Sequence, residues 1–352
     1  MLAPTTFRAV VSGRRRGLGA FGIRALFRLF AIPYRMIVEL RNYAFDRGWY
    51  KTHQVRVPVI SVGNLTLGGT GKTPFVAWIS KWLIDQNISP VIVSRGYKQG
   101  HGERNDEAME LAEKLPGVPH VQNPNRVQAV ETAIKKYAVE AIVLDDGFQH
   151  RRLARDIDVV LIDALEPFGF EYLFPRGTLR EPLSSLRRAD VVALTRVDRI
   201  SAERLTELKN RVQSIAPHVA WIELAYRTSF LIGREGDIVP IETFHDACVF
   251  GFCGIGNPEN FSRTLAEEPW HVQQCEEYPD HHHYTQADSE RLSKQAASCG
   301  ATAVLCTHKD LVKIRSLWKG SIPLYAVTLE TEIRAGEEVL SSLLSKLADA
   351  LQ

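Results

Sequence analysis

Eleven consecutive residues constrain this chain more than any other stretch: Gly63-Asn64-Leu65-Thr66-Leu67-Gly68-Gly69-Thr70-Gly71-Lys72-Thr73. They sit between the mostly apolar run 57–62 and a helical pattern that opens near Lys72. Strand, glycine-rich turn and helix N-terminus form a phosphate-binding arrangement. Glycines let backbone N–H groups close around phosphate oxygens, and the helix dipole favours the anion. The nucleotide-contacting stretch is expected to be Thr66, Leu67, Gly68, Gly69, Thr70, Gly71, Lys72 and Thr73. Lys72 is expected to reach the β- and γ-phosphates and Thr73 to hold Mg²⁺. The full pattern Gly-x-x-x-x-Gly-Lys-Ser/Thr asks for glycine where Thr66 stands.

With 352 residues the chain has room for two domains with separate cores. A net charge of +2 gives no reason to expect nucleic acid as a partner. The five cysteines lie in the last third without a Cys-x-x-Cys pair and read as reduced, mostly buried residues. The N-terminus departs from this ordinary composition. Residues 1–38 contain no acidic side chain but carry Arg8, Arg14, Arg15, Arg16, Arg24, Arg28 and Arg35. At about 100° per residue, Arg24, Arg28 and Arg35 share one narrow face, with Phe21, Leu26, Leu29, Phe30 and Ile37 around the remainder. Residues 1–50 therefore read as a basic amphipathic region that lies on a membrane surface. The arginines and Pro33 interrupt the apolar run, which argues against a span.

Further along, short apolar runs at 91–94, 141–144, 157–163 and 191–195 alternate with helical stretches at 74–85, 106–115 and 126–137. This alternation predicts an α/β fold: a P-loop NTPase-type parallel sheet with helices on both faces, over 51–224. Residues 225–240 read as a two-stranded connector. A smaller C-terminal α/β domain completes 225–352, with strands at 247–252, 272–277, 301–306 and 323–327 and a last helix at 335–351.

The run 141–144 leads straight into Asp145-Asp146-Gly147-Phe148-Gln149-His150. A carboxylate at the end of such a strand is where the metal held by Thr73 would be met. Side chains alternate along a strand, so one of the two aspartates is expected to touch the ion directly. Phosphoryl transfer to a hydroxyl also needs a base near the acceptor. Asp106, Glu107, His150 and the cluster Asp280-His281-His282-His283-Tyr284 supply candidates.

Taken together, Ser61 through Pro74, Ser94-Arg95-Gly96-Tyr97, Asp106-Glu107, the Asp145 to His150 block, Leu179-Arg180-Glu181-Pro182 and Asp280-His281 resemble the tetraacyldisaccharide 4'-kinase family, the lipid A 4'-kinases. The resemblance spans most of the chain in the right order. It implies ATP- and Mg²⁺-dependent phosphorylation of the 4'-hydroxyl of a tetraacylated glucosamine disaccharide 1-phosphate. The place implied is the cytoplasmic face of a bacterial inner membrane, and no protein partner is implied. Carried over position by position, it makes Asp106 the base, assisted by His281, with Lys72 on the phosphates. Asp145 and Asp146 serve the metal, with Glu107 and Glu181 as further metal candidates, and Asn64 lies near the disaccharide. Two positions depart from the family's pattern: Ala108 stands where proline is usual, and His308 where glutamate is usual.

Another class competes, a membrane-associated P-loop ATPase or GTPase switch with no lipid acceptor. ATPase switches of this kind carry a lysine before the double glycine, where this chain has Leu67. Thr195-Arg196-Val197-Asp198 is similar to a guanine-reading motif, but with arginine in place of its lysine.

Overall fold

Two helices precede the first strand, α1 (Pro4–Val11) and α2 (Leu18–Asp46), in a computed structural model that describes residues 4–96, 106–280 and 282–349. Then come β1 (Val59–Asn64), α3 (Lys72–Asp85), β2 (Pro90–Ser94), α4 (Asp106–Lys114), β3 (His120–Gln122), α5 (Arg126–Lys136) and β4 (Ala141–Asp145). They are followed by β5 (Ile157–Asp163), β6 (Val191–Thr195), α6 (Ala202–Ile215) and β7 (Ala220–Gly233). The chain's contacts divide it into two units. The first holds 1–102, 115–225 and 331–352; the second holds 103–114 and 226–330.

In the first unit the strands run parallel in the order β3-β2-β4-β1-β5-β6-β7. Every residue of β1, β4, β5 and β6 is buried. A strand hidden on both faces needs helices on both, which is the expected α/β arrangement. Ala129, Val130 and Ala133 of α5 pack on Val59, Val91, Ile142 and Leu144, while Leu208 and Val212 of α6 join Val160, Ile162, Val192 and Leu194. Each large side chain removed from water in this way contributes about 1.5–3 kcal/mol. The strand order reverses at β1: β4 and β2 lie on one side, β5 and β6 on the other. In an open α/β sheet such a reversal leaves a crevice at the strand C-termini, and the glycine-rich loop leaves β1 there.

The second unit contains β8 (Ile238–Pro240), β9 (Cys248–Cys253), α7 (Pro258–Ala266), β10 (His271–Glu277), α8 (Gln286–Ser298), β11 (Ala303–Thr307) and α9 (His308–Ile314). It also holds most of β12 (Leu324–Ala335), whereas α10 (Glu337–Asp349) belongs to the first unit. Its parallel strands are ordered β10-β9-β11-β12, and β8 pairs antiparallel with the far end of β7, Phe230 opposite Pro240. All five cysteines are free thiols.

These boundaries differ from the expected ones in three places. α4 belongs to the second unit, although 106–115 was expected in the kinase core. The last helix belongs to the first unit and not to the C-terminal domain. The chain leaves the first unit inside β7 and returns inside β12, so the hairpin within 225–240 is part of the second unit. In each case the packing partners are far apart in sequence, beyond the reach of local periodicity.

Candidate active site

The loop is built by close backbone approach. A Cβ on Gly63 would stand 2.5 Å from the Phe148 Cβ, and one on Gly147 would stand 2.5 Å from Ser61 Oγ. Glycine at both positions lets the end of β1 and the turn after β4 interlock. Gly68 and Gly71 take positive φ, +127° and +84°, which glycine adopts without strain. Thr66 needs no such freedom. It forms an antiparallel bridge with Leu179, flanked by Leu67 N donating to Thr178 O at 2.7 Å and Arg180 N donating to Leu65 O at 2.7 Å. That lacing explains why a threonine is accommodated where the pattern asks for glycine.

The first residues of α3 are Lys72 and Thr73. Lys72 Nζ lies 3.5 Å from Asp146 Oδ1. Arg180 grips both Asp146 oxygens, at 2.8 and 3.0 Å, and also reaches Gln149 Oε1 at 2.9 Å and Asn64 Oδ1 at 3.3 Å. Burial alone would push the Asp146 carboxyl up, but Lys72 and Arg180 outweigh it and hold the group well below the usual carboxylate range. Asp146 has left the strand, with φ +54°, whereas Asp145 is the last residue of β4 and is 3 % exposed.

The structure brings Lys72, Asp146 and Asn64 together around Arg180 in the first unit, with Thr73 following Lys72 on α3 and Asp145 ending β4. Asn64 is fully buried, its amide donating to Thr70 Oγ1 at 3.2 Å and Gly68 O at 3.4 Å. Its side chain thus braces the loop and meets Arg180. Glu181, expected among the metal's carboxylates, is 1 % exposed and engaged by Arg41 (2.5 Å), Arg188 (2.6 Å) and Asn42 (3.2 Å). A buried carboxylate met by two partly exposed cations, it ties α2 to the segment after Arg180. His150 is held neutral at physiological pH: burial, then the charges of Arg126, Arg155, Arg152 and Arg41, lower its pKa to about 4.

Asp106 and Glu107 open α4 in the second unit, and nothing of their side chains is described. His281 lies outside the described residues. α4 is locked in the second unit by charge: Glu113 accepts from His308 Nε2 at 2.6 Å and pairs with Arg315 at 2.6 Å, and Glu110 pairs with Lys114 at 2.8 Å. Of the remaining candidates, His282 Nε2 contacts Asp288 at 3.2 Å, and the Tyr284 hydroxyl donates to Asp310 at 3.0 Å. Asp310 is fully buried and accepts from Gly254 N and Thr307 Oγ1 as well, which makes it a brace of the second unit.

Sequence reasoning passed over Arg180, Arg126 and Gln149. Arg126 is 4 % exposed at the start of α5 and acts electrostatically on Asp145 and Asp146. Gln149 donates to Asn64 O at 2.8 Å. Arg180 directly precedes Glu181 and Gln149 follows Asp146 by three residues, whereas nothing local marks Arg126.

A parallel sheet with the loop at its strand-order reversal, a lysine and hydroxyl at the helix start and a carboxylate at the end of the neighbouring strand define a P-loop nucleotide-binding protein. The family model for tetraacyldisaccharide-1-P 4'-kinase, LpxK, matches residues 23–348. A tetraacyldisaccharide 4'-kinase from Anaeromyxobacter dehalogenans (strain 2CP-C) is 34 % identical over 331 residues, 89 % of this chain and 88 % of that protein. One from Desulfotalea psychrophila is 37 % identical over 319 residues, 85 % of this chain and 90 % of that protein. A crystal structure of LpxK from Aquifex aeolicus in complex with ATP superposes with a TM-score of 0.73 at 28 % identity, covering 92 % of this chain and 99 % of that one. The chain belongs to the tetraacyldisaccharide 4'-kinase family.

Proposed function

We propose that this protein transfers the γ-phosphate of ATP to the 4'-hydroxyl of tetraacyldisaccharide 1-phosphate in lipid A biosynthesis. The observation that carries the reading is the Lys72–Asp146–Arg180 constellation at the mouth of the glycine-rich loop, in a chain of this family. Lys72 and the loop's N–H groups hold the phosphates. Asp146 fixes the lysine and the arginine in place, so that their charge is already positioned when negative charge develops on the transferring group.

A divalent cation fits the residues present. The Thr73 hydroxyl and the Asp145 carboxylate are hard oxygen donors, 8 % and 3 % exposed. Among the described residues no group of three metal-binding side chains forms a closed cage. Mg²⁺ is commonly held by one or two protein oxygens and completed by substrate phosphates, which is the kind of site this donor set offers. Thr73 and Asp145 would hold it, and it would supply charge neutralisation of the phosphates. Both Asp146 oxygens are committed to Arg180, so Asp146 is assigned to positioning. Asp106 is the base that takes the acceptor's proton, with His281 as its assistant. Glu107 is left as a further carboxylate of the site.

The acceptor is a lipid, and α2 supports contact with a membrane surface. Leu18, Phe21, Leu29, Phe30, Met36, Ile37 and Leu40 of α2 are each more than half exposed. No described helix is long and apolar enough to cross a membrane. At about 1.5–3 kcal/mol per large apolar side chain buried, this face outweighs the ~1 kcal/mol that each basic residue gains near anionic lipid. Tyr34 of α2 donates to Arg180 O at 2.9 Å, which links this face to the residue that grips Asp146. A groove of about 480 Å³ beside α2 is lined by Arg151, Arg187 and Arg188 together with Glu39 and Asp46, and Arg151 and Arg188 are already paired there with Asp46 and Glu181. The cytoplasmic face of the inner membrane is the place where ATP and this lipid meet.

The test is conversion of tetraacyldisaccharide 1-phosphate into a bisphosphorylated lipid by the purified protein with ATP and Mg²⁺ in mixed micelles, with the position of the new phosphate read by NMR. Phosphate on the 4'-oxygen is the expected result. A different position, or none, contradicts the reading.

A further inference from the structure

Arg8 stands beside the phosphate loop although it comes from α1, ahead of residue 23 where the family model's match begins. A Cβ built on Gly68 meets only the two terminal nitrogens of Arg8, at 3.8 and 4.0 Å, while one on Gly69 meets nothing within 4 Å. The guanidinium therefore flanks an open stretch of the loop, four residues before Lys72. It is held there by the carboxylate of Glu166, which follows β5 and accepts from both Nε and Nη2 of Arg8.

α1 itself is firmly seated in the first unit. Val10 and Val11 are buried, and Phe7 lies 5.8 Å from the Phe27 ring and 6.0 Å from the Phe174 ring. The carbonyls at its C-terminal end accept from arginines, Val11 O from Arg176 at 3.1 Å and Val10 O from Arg24 at 3.3 Å. Cations at a helix C-terminus complement its dipole. Arg196 forms a similar arrangement on the neighbouring residue: it pairs with Asp163, the last residue of β5, and donates to Gly69 O at 3.3 Å.

We propose that Arg8 is a phosphate-contacting cation supplied in cis by the N-terminal helix to the nucleotide bound at the loop. The proposal rests on the reading of that loop as the ATP site. A planar guanidinium with several donors matches two oxygens of a phosphoryl group at once, and Glu166 preorganises it before nucleotide arrives. In the transfer, the bond from the γ-phosphorus to the bridging oxygen of ADP breaks and a bond to the acceptor oxygen forms, the acceptor's proton passing to the base. Arg8 neither gains nor loses a proton; it binds the charge that spreads over the phosphoryl oxygens. Because α1 leads directly into α2, the same segment that presents the apolar face carries this cation to the loop.

The experiment compares the full-length protein with Arg8→Ala, Arg8→Lys and Glu166→Gln. The readouts are kcat, KM for ATP, and affinity for ADP with and without aluminium fluoride in the presence of acceptor. Arginines that act on transferring phosphoryl groups are worth about 10³–10⁵ in rate. With Lys72 and Arg180 already present, Arg8→Ala is expected to lower kcat about 100-fold and to abolish the gain in affinity that aluminium fluoride confers, while the affinity for ADP alone changes less than threefold. Arg8→Lys keeps the charge and should recover part of the loss. Glu166→Gln, whose amide oxygen still accepts from the guanidinium but carries no charge to preorganise it, should lower kcat about tenfold, well short of the loss in Arg8→Ala. Equal losses in Arg8→Ala and Glu166→Gln would make the pair a latch for α1 and overturn the proposal, as would an Arg8→Ala protein that turns over normally. If the parent protein fails to bind ATP in the same titration, the reading of the loop fails instead.

Discussion

Lys72 Nζ and Asp146 Oδ1 are 3.5 Å apart, and the same carboxylate is clasped by Arg180. The lysine of the phosphate loop is thus held by a residue of the strand-end motif, and the two sequence signatures meet as one device. Replacing Asp146 with Asn keeps the shape but removes the charge that orients both cations. The expected outcome is a fall in kcat of about 10²-fold with the protein still folded, measured by steady-state kinetics and circular dichroism. Unchanged kcat would separate Asp146 from positioning.

Glu181 tests a different kind of role. Its carboxylate balances Arg41 and Arg188 at a site that is 1 % exposed. Removing one partner of a buried ion pair typically costs 3–5 kcal/mol, because the other charges stay behind. Glu181→Gln should therefore lower unfolding stability by about 3 kcal/mol in urea titrations, and leave the Mg²⁺ dependence of kcat where it was. A raised Mg²⁺ requirement without loss of stability would return Glu181 to the metal site.

α4 carries Asp106 at its start and is fastened to α9 through Glu113 and His308. His308→Ala should leave KM for ATP unchanged and lower kcat about tenfold, with Glu113→Gln milder because its amide still accepts from His308. Equal effects on kcat and KM would mean that the pair serves the fold at large.

The pH dependence follows from His150. Its pKa falls to about 4 in the folded chain, against 6.5 as the ordinary value. Between those values the unfolded chain binds the extra proton, so stability rises with pH there. The contribution is complete above about pH 6.5 and is lost as pH falls towards 4. The stability loss of the parent between pH 6.5 and 4 should be visibly smaller in His150→Asn, as followed by thermal unfolding. Identical profiles would remove His150 as the cause.

For the membrane-facing helix, Leu29→Asp with Phe30→Asp alters side chains that are 62 % and 57 % exposed. Sedimentation with anionic vesicles should show most binding lost and the melting temperature kept. Raising the salt should weaken the parent's binding only in part, because the apolar term dominates. Vesicle binding equal to the parent's would show that α2 does not lie on the bilayer.

What the sequence made legible was local. β1, the loop, α3 and the strand ending in Asp145 could be read because apolar runs and glycines mark them, and the parallel α/β sheet follows from their alternation. The surroundings of Glu181 are not legible in this way, because its partner Arg41 lies 140 residues away. α4 was correctly read as a helix, but its seat against α9 depends on Glu113 meeting His308, 195 residues on. Side-chain networks of this kind carry no periodicity.

The most direct test of the central claim is the ratio of ADP released to lipid phosphorylated when the protein is given γ-labelled ATP, Mg²⁺ and tetraacyldisaccharide 1-phosphate. One label in lipid per ADP, no ADP without acceptor, and neither in Lys72→Ala is the predicted result. ADP released at the same rate whether or not acceptor is present, with no labelled lipid, would contradict the kinase account and make the protein a nucleotide switch.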